Sequence, residues 1–307
     1  MNPFHIEDLY ILINHNLKRQ HVILQCPSKT HYQWLKNIHW NQCIRLQPHH
    51  LPISFRLKNI DLSHTNITND ELKYLSCHIL NISHTDITDD GLKYLSCHSL
   101  NLSLTNSTDN GLKHLSCHTL NLRWTKITNE GLKYLSACHT LKLRGTKITD
   151  EGLKYLSVHT LDISYTKITD KGLKYLSACH ILNLCSTKIT NAGLKHLSAC
   201  HTLDLSYTKI TDNGLKHLST CHILNLEGTG ITDKGLKHLS CHTLNLTWTK
   251  ITNEGLKYLS CHTLDLSHTN ITDDGLKYLS TCHTLNLYGT NITNEGLKYL
   301  TAVKIIK

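Results

Sequence analysis

Proline is nearly absent from this chain. There are four in 307 residues, Pro3, Pro27, Pro48 and Pro52, and none follows residue 52. Proline removes a backbone donor and breaks helices and ladders, so the rest of the chain is open to uninterrupted regular structure. Long hydrophobic runs are missing as well. No stretch approaches the 18 or so apolar residues of a membrane span, and the N-terminus lacks the basic-then-apolar layout of a signal peptide. No nucleophile–base pair, phosphate-binding loop or isolated carboxylate pair stands out, so no catalytic residue and no cofactor is expected. Thirteen cysteines are an odd number, which argues against a disulfide framework and for a reducing, cytoplasmic setting.

One short phrase fills the space instead, copied twelve times from about Leu57 onward. A clear copy runs from Cys261 to Ser280, CHTLDLSHTNITDDGLKYLS. Its apolar column Ile60, Leu80, Leu100, Leu120, Leu141, Leu161, Leu182, Leu203, Leu224, Leu244, Leu264, Leu285, Ile306 advances by 20 or 21 residues. In the longer steps the extra residue always precedes the cysteine slot, as Ala137, Ala178, Ala199, Thr220, Thr281 or Ala302. An insertion confined to one place marks a loop, since an added strand residue would flip every later side chain. Leu-x-Leu carries the period of 2 of a strand with one buried face. Ile-Thr-Asp reads as a turn, Thr or Asp as a helix N-cap, and Gly-Leu-Lys-Tyr-Leu as a helix of about two turns. The eleven glycines of that segment, such as Gly91 and Gly275, mark close approach between neighbouring coils.

The pattern Cys-x-x-Leu-x-Leu-x-x-Thr resembles the short Cys- and Thr-containing leucine-rich repeats, over about four fifths of the chain. The resemblance implies an α/β fold: a right-handed solenoid with a parallel β-sheet on the concave side and short helices on the convex side. Residues 53–307 then form twelve repeats and a truncated thirteenth, and residues 1–52 a separate helical segment or cap.

Several ladders are read as frame. The twelve threonines from Thr65 to Thr290 sit where a hydroxyl can satisfy a strand-to-turn corner. The ten cysteines from Cys77 to Cys282 share their slot with Leu57, Val158 and Val303, so they read as small buried hydrophobes. The ten Cys-His dipeptides are not expected to bind metal, because neighbouring strand residues point to opposite faces and four ligands do not converge. The histidines following them should form a ladder spaced about 5 Å apart, which acid would weaken by mutual repulsion. The lysine column from Lys73 to Lys298 reads as a solvated ridge offset by acidic residues of the preceding turn, and nothing resembles a base-reading module, so nucleic acid is not the expected partner.

Within the first 52 residues, Ile6–Leu12 reads as a short amphipathic helix. The order Pro3, Glu7, Leu9, Leu12, Leu17, Val22, Leu24, Cys26, Trp34 resembles an F-box, with Asn2-Pro3 in place of Leu-Pro and polar Asn14-His15-Asn16 where the first helix should close. That resemblance implies three helices docking on a Skp1-type adaptor of a cullin ubiquitin ligase through Pro3, Leu9, Leu12, Val22, Leu24 and Trp34. The other reading of this segment is a plain cap, since a solenoid otherwise exposes core at its first coil.

Against the constant frame, the two positions after each strand vary: Arg123-Trp124, Arg144-Gly145, Ser164-Tyr165, Ser206-Tyr207, Glu227-Gly228, Thr247-Trp248. Trp, Tyr and Arg are the usual anchors of protein interfaces. Arg123, Trp124, Arg144, Tyr165, Tyr207 and Trp248 are therefore the expected contacts of a protein partner on the concave face. The repeat breaks off after one strand, and that strand edge is expected to permit self-association.

Overall fold

The computed structural model describes residues 10–14, 21–24, 57–298, 300 and 303–306. It comprises two compact units, Met1–Thr146 and Lys147–Lys307.

In the first unit the strands are β1 (Tyr10–Asn14), β2 (His21–Leu24), β3 (Leu57–Asp61), β4 (Cys77–Asn81), β5 (Ser99–Asn101), β6 (Thr119–Asn121) and β7 (Thr140–Lys142). β3 to β7 run parallel, with Leu80, Leu100, Leu120 and Leu141 directly opposite one another. The inserted Ala137 lies in a turn and leaves this register untouched. In the second unit β8 (Thr160–Asp162), β9 (Ile181–Asn183), β10 (Thr202–Asp204), β11 (Ile223–Asn225), β12 (Thr243–Asn245), β13 (Thr263–Asp265), β14 (Thr284–Asn286) and β15 (Lys304–Ile306) form a parallel sheet in sequence order. Leu161 to Leu285 again align strand by strand.

Each strand is short because only Leu-x-Leu has a buried face to offer. Leu120 and Leu122 are wholly buried, and so are Ile127 and Leu132 of the following turn and helix. Burying one leucine contributes about 1.5–3 kcal/mol, so stacked coils build a continuous core that no single coil could. The cysteine slot belongs to this core: Cys117, Cys138, Cys200 and Cys261 are buried, and Val158 fills the same place. All twelve threonines of the corner ladder donate their hydroxyl to the carbonyl three residues back, at 2.5–2.8 Å.

The helices are shorter than the two turns expected. Asp89–Leu92, Asn129–Leu132 and Asp233–Leu236 are single turns, and Asp150–Tyr155 is a six-residue 3-10 segment. The reason is the glycine. A Cβ on Gly235 would stand 2.6 Å from Asp212 Oδ1 and 2.8 Å from Leu215 Cδ1 of the preceding coil. Coils packed this closely leave room for one turn, closed by i→i+3 bonds such as Leu239 N–H to the Leu236 carbonyl at 3.0 Å.

The threonine ahead of most helices has cap-like extended backbone; at Thr128, Thr169 and Thr293 its hydroxyl accepts a helix N–H, and at Thr232 the side chain serves another purpose. Thr232 donates both its N–H (2.8 Å) and its hydroxyl (2.6 Å) to the carboxylate of Asp212, one coil earlier. Asp89–Thr108, Asp109–Thr128, Asp170–Thr190, Asp233–Thr252 and Asp273–Thr293 repeat the clamp. Asn191 substitutes with its amide, accepting from Thr211 N–H at 3.0 Å and donating to its hydroxyl at 2.6 Å.

At the N-terminus the structure departs from the helix expected over Ile6–Leu12. From Tyr10 the backbone is extended; β1 pairs antiparallel with β2 (Ile11 opposite Leu24) and parallel with β3 (Ile11 opposite Ile60). Alternating Ile11 and Ile13 and the β-branched Val22-Ile23 favour strand over helix. Leu12, Val22 and Leu24 thus lie in strands, and Pro3, Leu9 and Trp34 lie outside the described residues.

Candidate recognition surface

The strand carries three kinds of outward position. The first is the histidine after each cysteine. His78, His98 and His118 stack with ring centroids 4.5 and 4.6 Å apart, and His139 follows at 4.8 Å. In the second unit His159, His180, His201, His222, His242, His262 and His283 continue at 4.6–4.9 Å. Loss of solvent, followed by repulsion from the neighbouring rings, lowers the pKa of His118, His222 and His262.

The second position, nearly always Asn or Asp, turns out to shape the backbone. Asn81 Oδ1 accepts from Ser83 N–H at 3.1 Å and from its hydroxyl at 2.8 Å, and Asp204 does the same for Ser206. This closes an Asx turn and turns the chain sharply out of the strand.

The third position follows that turn, and it is left-handed in every described coil. His64, His84, Leu104, Trp124, Tyr165, Ser186, Tyr207, Trp248 and His268 have φ between 54° and 58°, and Gly145, Gly228 and Gly289 between 65° and 70°. For a residue with a Cβ this conformation costs about 1–2 kcal/mol. The anchors named from the sequence lie on or beside it. Trp248 is 59% exposed, Tyr207 53%, Trp124 47% and Tyr165 46%. Arg123, Trp124 and Arg144 belong to the first unit, and Tyr165, Tyr207 and Trp248 to the second.

Three residues, Glu227, His268 and Tyr288, were not among those anchors and complete a recurring arrangement. Wherever the left-handed residue is glycine, the ring of the coil before lies over it. A Cβ on Gly228 would stand 2.8 Å from Tyr207 Cδ1, one on Gly289 would stand 2.6 Å from His268 Cε1, and one on Gly145 would run into Trp124. The residue just before each glycine is long and reaches the same ring. Arg144 lies over Trp124 at 6.0 Å, Glu227 accepts the Tyr207 hydroxyl, and Tyr288 meets His268 edge-on at 5.3 Å. The hydrogen bond to Glu227 pushes the Tyr207 phenol up to about 12. The signal was present in the sequence as Arg144-Gly145, Glu227-Gly228 and Tyr288-Gly289, where a long side chain stands in the place usually held by Ser or Thr.

The opposite side of each coil has a different chemistry. Exposed Tyr94, Tyr134, Tyr155, Tyr175, Tyr258 and Tyr278 each lie under their neighbouring lysine at 4.9–5.3 Å. Lys133–Glu130 and Lys257–Glu254 pair at 3.4 and 3.1 Å. Most of the cysteine column is chemically quiet: burial pushes Cys117 and Cys179 up to about 12 and Cys138 and Cys200 up to about 11, so these thiols stay protonated at neutral pH, whereas the hydrogen bond with Cys77 lowers the pKa of Cys97. Among the described residues no three His, Cys, Asp or Glu side chains are placed to hold a metal ion, and no helix is long and apolar enough to cross a membrane.

Parallel strands in exact register, one-turn helices and a core of identical layers define a repeat solenoid in each unit. The family profile described as Leucine Rich repeat matches residues 78–96, 118–136, 139–157, 156–177, 201–219, 222–240, 242–260 and 262–280. Residues 78–280 are leucine-rich repeats, and the chain is a leucine-rich-repeat protein.

Among solved structures, an internalin from Listeria monocytogenes is similar with a TM-score of 0.59 and 20% identity, over 81% of this chain and 79% of that one. The mouse RP105/MD-1 complex gives 0.56 and 15%, over 82% and 59%, and the TLR13–ssRNA13 complex 0.52 and 18%, over 82% and 53%. The chain spans little more than half the length of the last two. These likenesses show the fold. A search of curated proteins returned no match.

Proposed function

We propose that the chain is a non-enzymatic protein-recognition scaffold whose contacts are the left-handed column and its neighbours: Arg123, Trp124 and Arg144 in the first unit, Tyr165, Tyr207 and Trp248 in the second. The observation that carries this reading is the placement of exposed aromatic residues at positive φ, where glycine would be the unstrained choice. Strain kept at positions with no core to serve is a mark of function. A structure of similar fold, mouse RP105 with MD-1, is a complex. The core cysteine slot supports a reducing, cytoplasmic location. The test is affinity for a captured protein partner. Alanine at both Trp124 and Trp248 should weaken it at least tenfold, as loss of interface anchors does. Unchanged affinity sinks the reading.

The finer reading is a substrate receptor whose residues 1–45 dock on a Skp1-type adaptor. It rests on the residue order from Pro3 to Trp34. The strand pairing of β1 with β2 and β3 favours the plain cap over a three-helix domain. Mixing the intact chain with a purified adaptor separates the two: co-elution that disappears on deleting residues 1–50 supports the receptor, and no co-elution supports the stand-alone binder. Self-association is tested by sedimentation of the same chain.

A further inference from the structure

Building on the recognition surface proposed above, we propose that Tyr207, resting on Gly228, forms with Glu227 and Trp248 a slot for an arginine side chain of the protein partner. Tyr207, Gly228 and Trp248 are successive members of the left-handed column, so the two aromatic residues stand two strands apart, about 9–10 Å along the ladder. Gly228 contributes no side chain between them, and the Tyr207 ring lies down on its backbone. The Trp248 ring is stacked on one side against His268, with centroids 4.1 Å apart. Glu227 stands beside the gap, half-buried. Its Oε1 accepts from the Tyr207 hydroxyl, and among the described residues its Oε2 has no hydrogen-bond partner.

Charge points to the same occupant. The outward strand positions of the coils from His159 to Gly289 carry Asp162, Asp204, Glu227 and Asp265, and no lysine or arginine. Apart from Lys304 in β15, the described lysines of this unit sit in the turn and helix columns, as at Lys167, Lys174, Lys209 and Lys216. No arginine follows Arg144 in the sequence, so the second unit has none of its own to offer the slot. Asp265 is already engaged by Ser267, Thr247 and Asn286, and Asp204 holds Ser206 of its own turn through one oxygen, while Glu227 stands next to Gly228 with its Oε2 to spare. A guanidinium is planar, stacks on aromatic faces and offers paired N–H donors to one carboxylate. An ammonium has the charge without the plane or the fork.

The test uses the full chain labelled with nitrogen-15. Its four tryptophans give four indole N–H signals, and Trp248→Phe identifies the one of interest. Titration with N-acetyl-arginine amide should shift that signal saturably, with the lysine and citrulline amides binding at least fivefold more weakly. Glu227→Gln, with an unchanged melting temperature, should weaken arginine binding about tenfold, the loss of one charge-assisted pair. Absence of a shift, equal response to the lysine or citrulline amide, or full arginine binding by Glu227→Gln overturns the slot. If the slot fails while alanine at Trp124 and Trp248 still abolishes partner capture, the recognition surface stands and only its arginine chemistry falls. If those variants capture the partner normally, the surface fails as well.

Discussion

Ser186 and Ser107 are two small side chains whose replacement separates frame from surface. Ser186 holds φ at 56° in the left-handed column without a ring to pack. Glycine there removes the Cβ clash, partly offset by the greater freedom of the unfolded chain. Ser186→Gly should therefore gain about 0.5–1 kcal/mol, read as a higher urea midpoint. A loss would show that the column is unstrained. Ser107 stands in the column held by Ile87 and Ile127, fully buried, with its hydroxyl 2.8 Å from Thr105. Ser107→Ile restores the layer and should raise stability by about 1 kcal/mol, which thermal melting would show. The contrast between the two is informative about what a repeat exposes to reading. Core columns announce themselves by constancy. The left-handed column did not, because Trp, Tyr, His, Leu and Ser carry no mark of positive φ; only Gly145, Gly228 and Gly289 hinted at it.

Between neighbouring coils the aspartate clamp and the histidine stack act as opposed ladders. Asp212→Ala would leave the Thr232 N–H and hydroxyl without their acceptor, an expected loss of about 1–3 kcal/mol. Asp212→Asn should lose far less, because Asn191 already fills the same role for Thr211 in the adjacent coil. Equal losses in a denaturation series would refute the clamp. The helix cap expected at these positions is made at Thr128, Thr169 and Thr293; the clamp was not legible because its partner lies about 20 residues away, visible only once the register is known. The histidine ladder was legible from period alone, and its spacing is that of the strands. The lowered pKa of His118, His222 and His262 means that the unfolded chain takes up protons first at these three positions as pH falls. Stability is full above the ordinary histidine value of about 6.5 and is lost progressively below it. Melting temperature should fall between pH 7.5 and 5, and His222→Gln should reduce that fall. A melting temperature flat with pH would rule this out.

Over the whole molecule, the period of 20 or 21 residues carries the fold, since each coil needs the next to bury its leucines. The two faces divide the remaining chemistry: lysine over tyrosine on the helix side, stacked histidine and strained aromatic residues on the strand side. The tyrosines on both faces make a direct comparison available within one chain. In hydroxyl-radical footprinting of the chain with its bound protein partner, Trp124, Tyr165, Tyr207 and Trp248 should be protected, while Tyr94, Tyr134, Tyr155, Tyr175 and Tyr258 remain as reactive as in the free chain. Protection of the helix-side tyrosines with the left-handed column left reactive would contradict the assignment of recognition to the strand face.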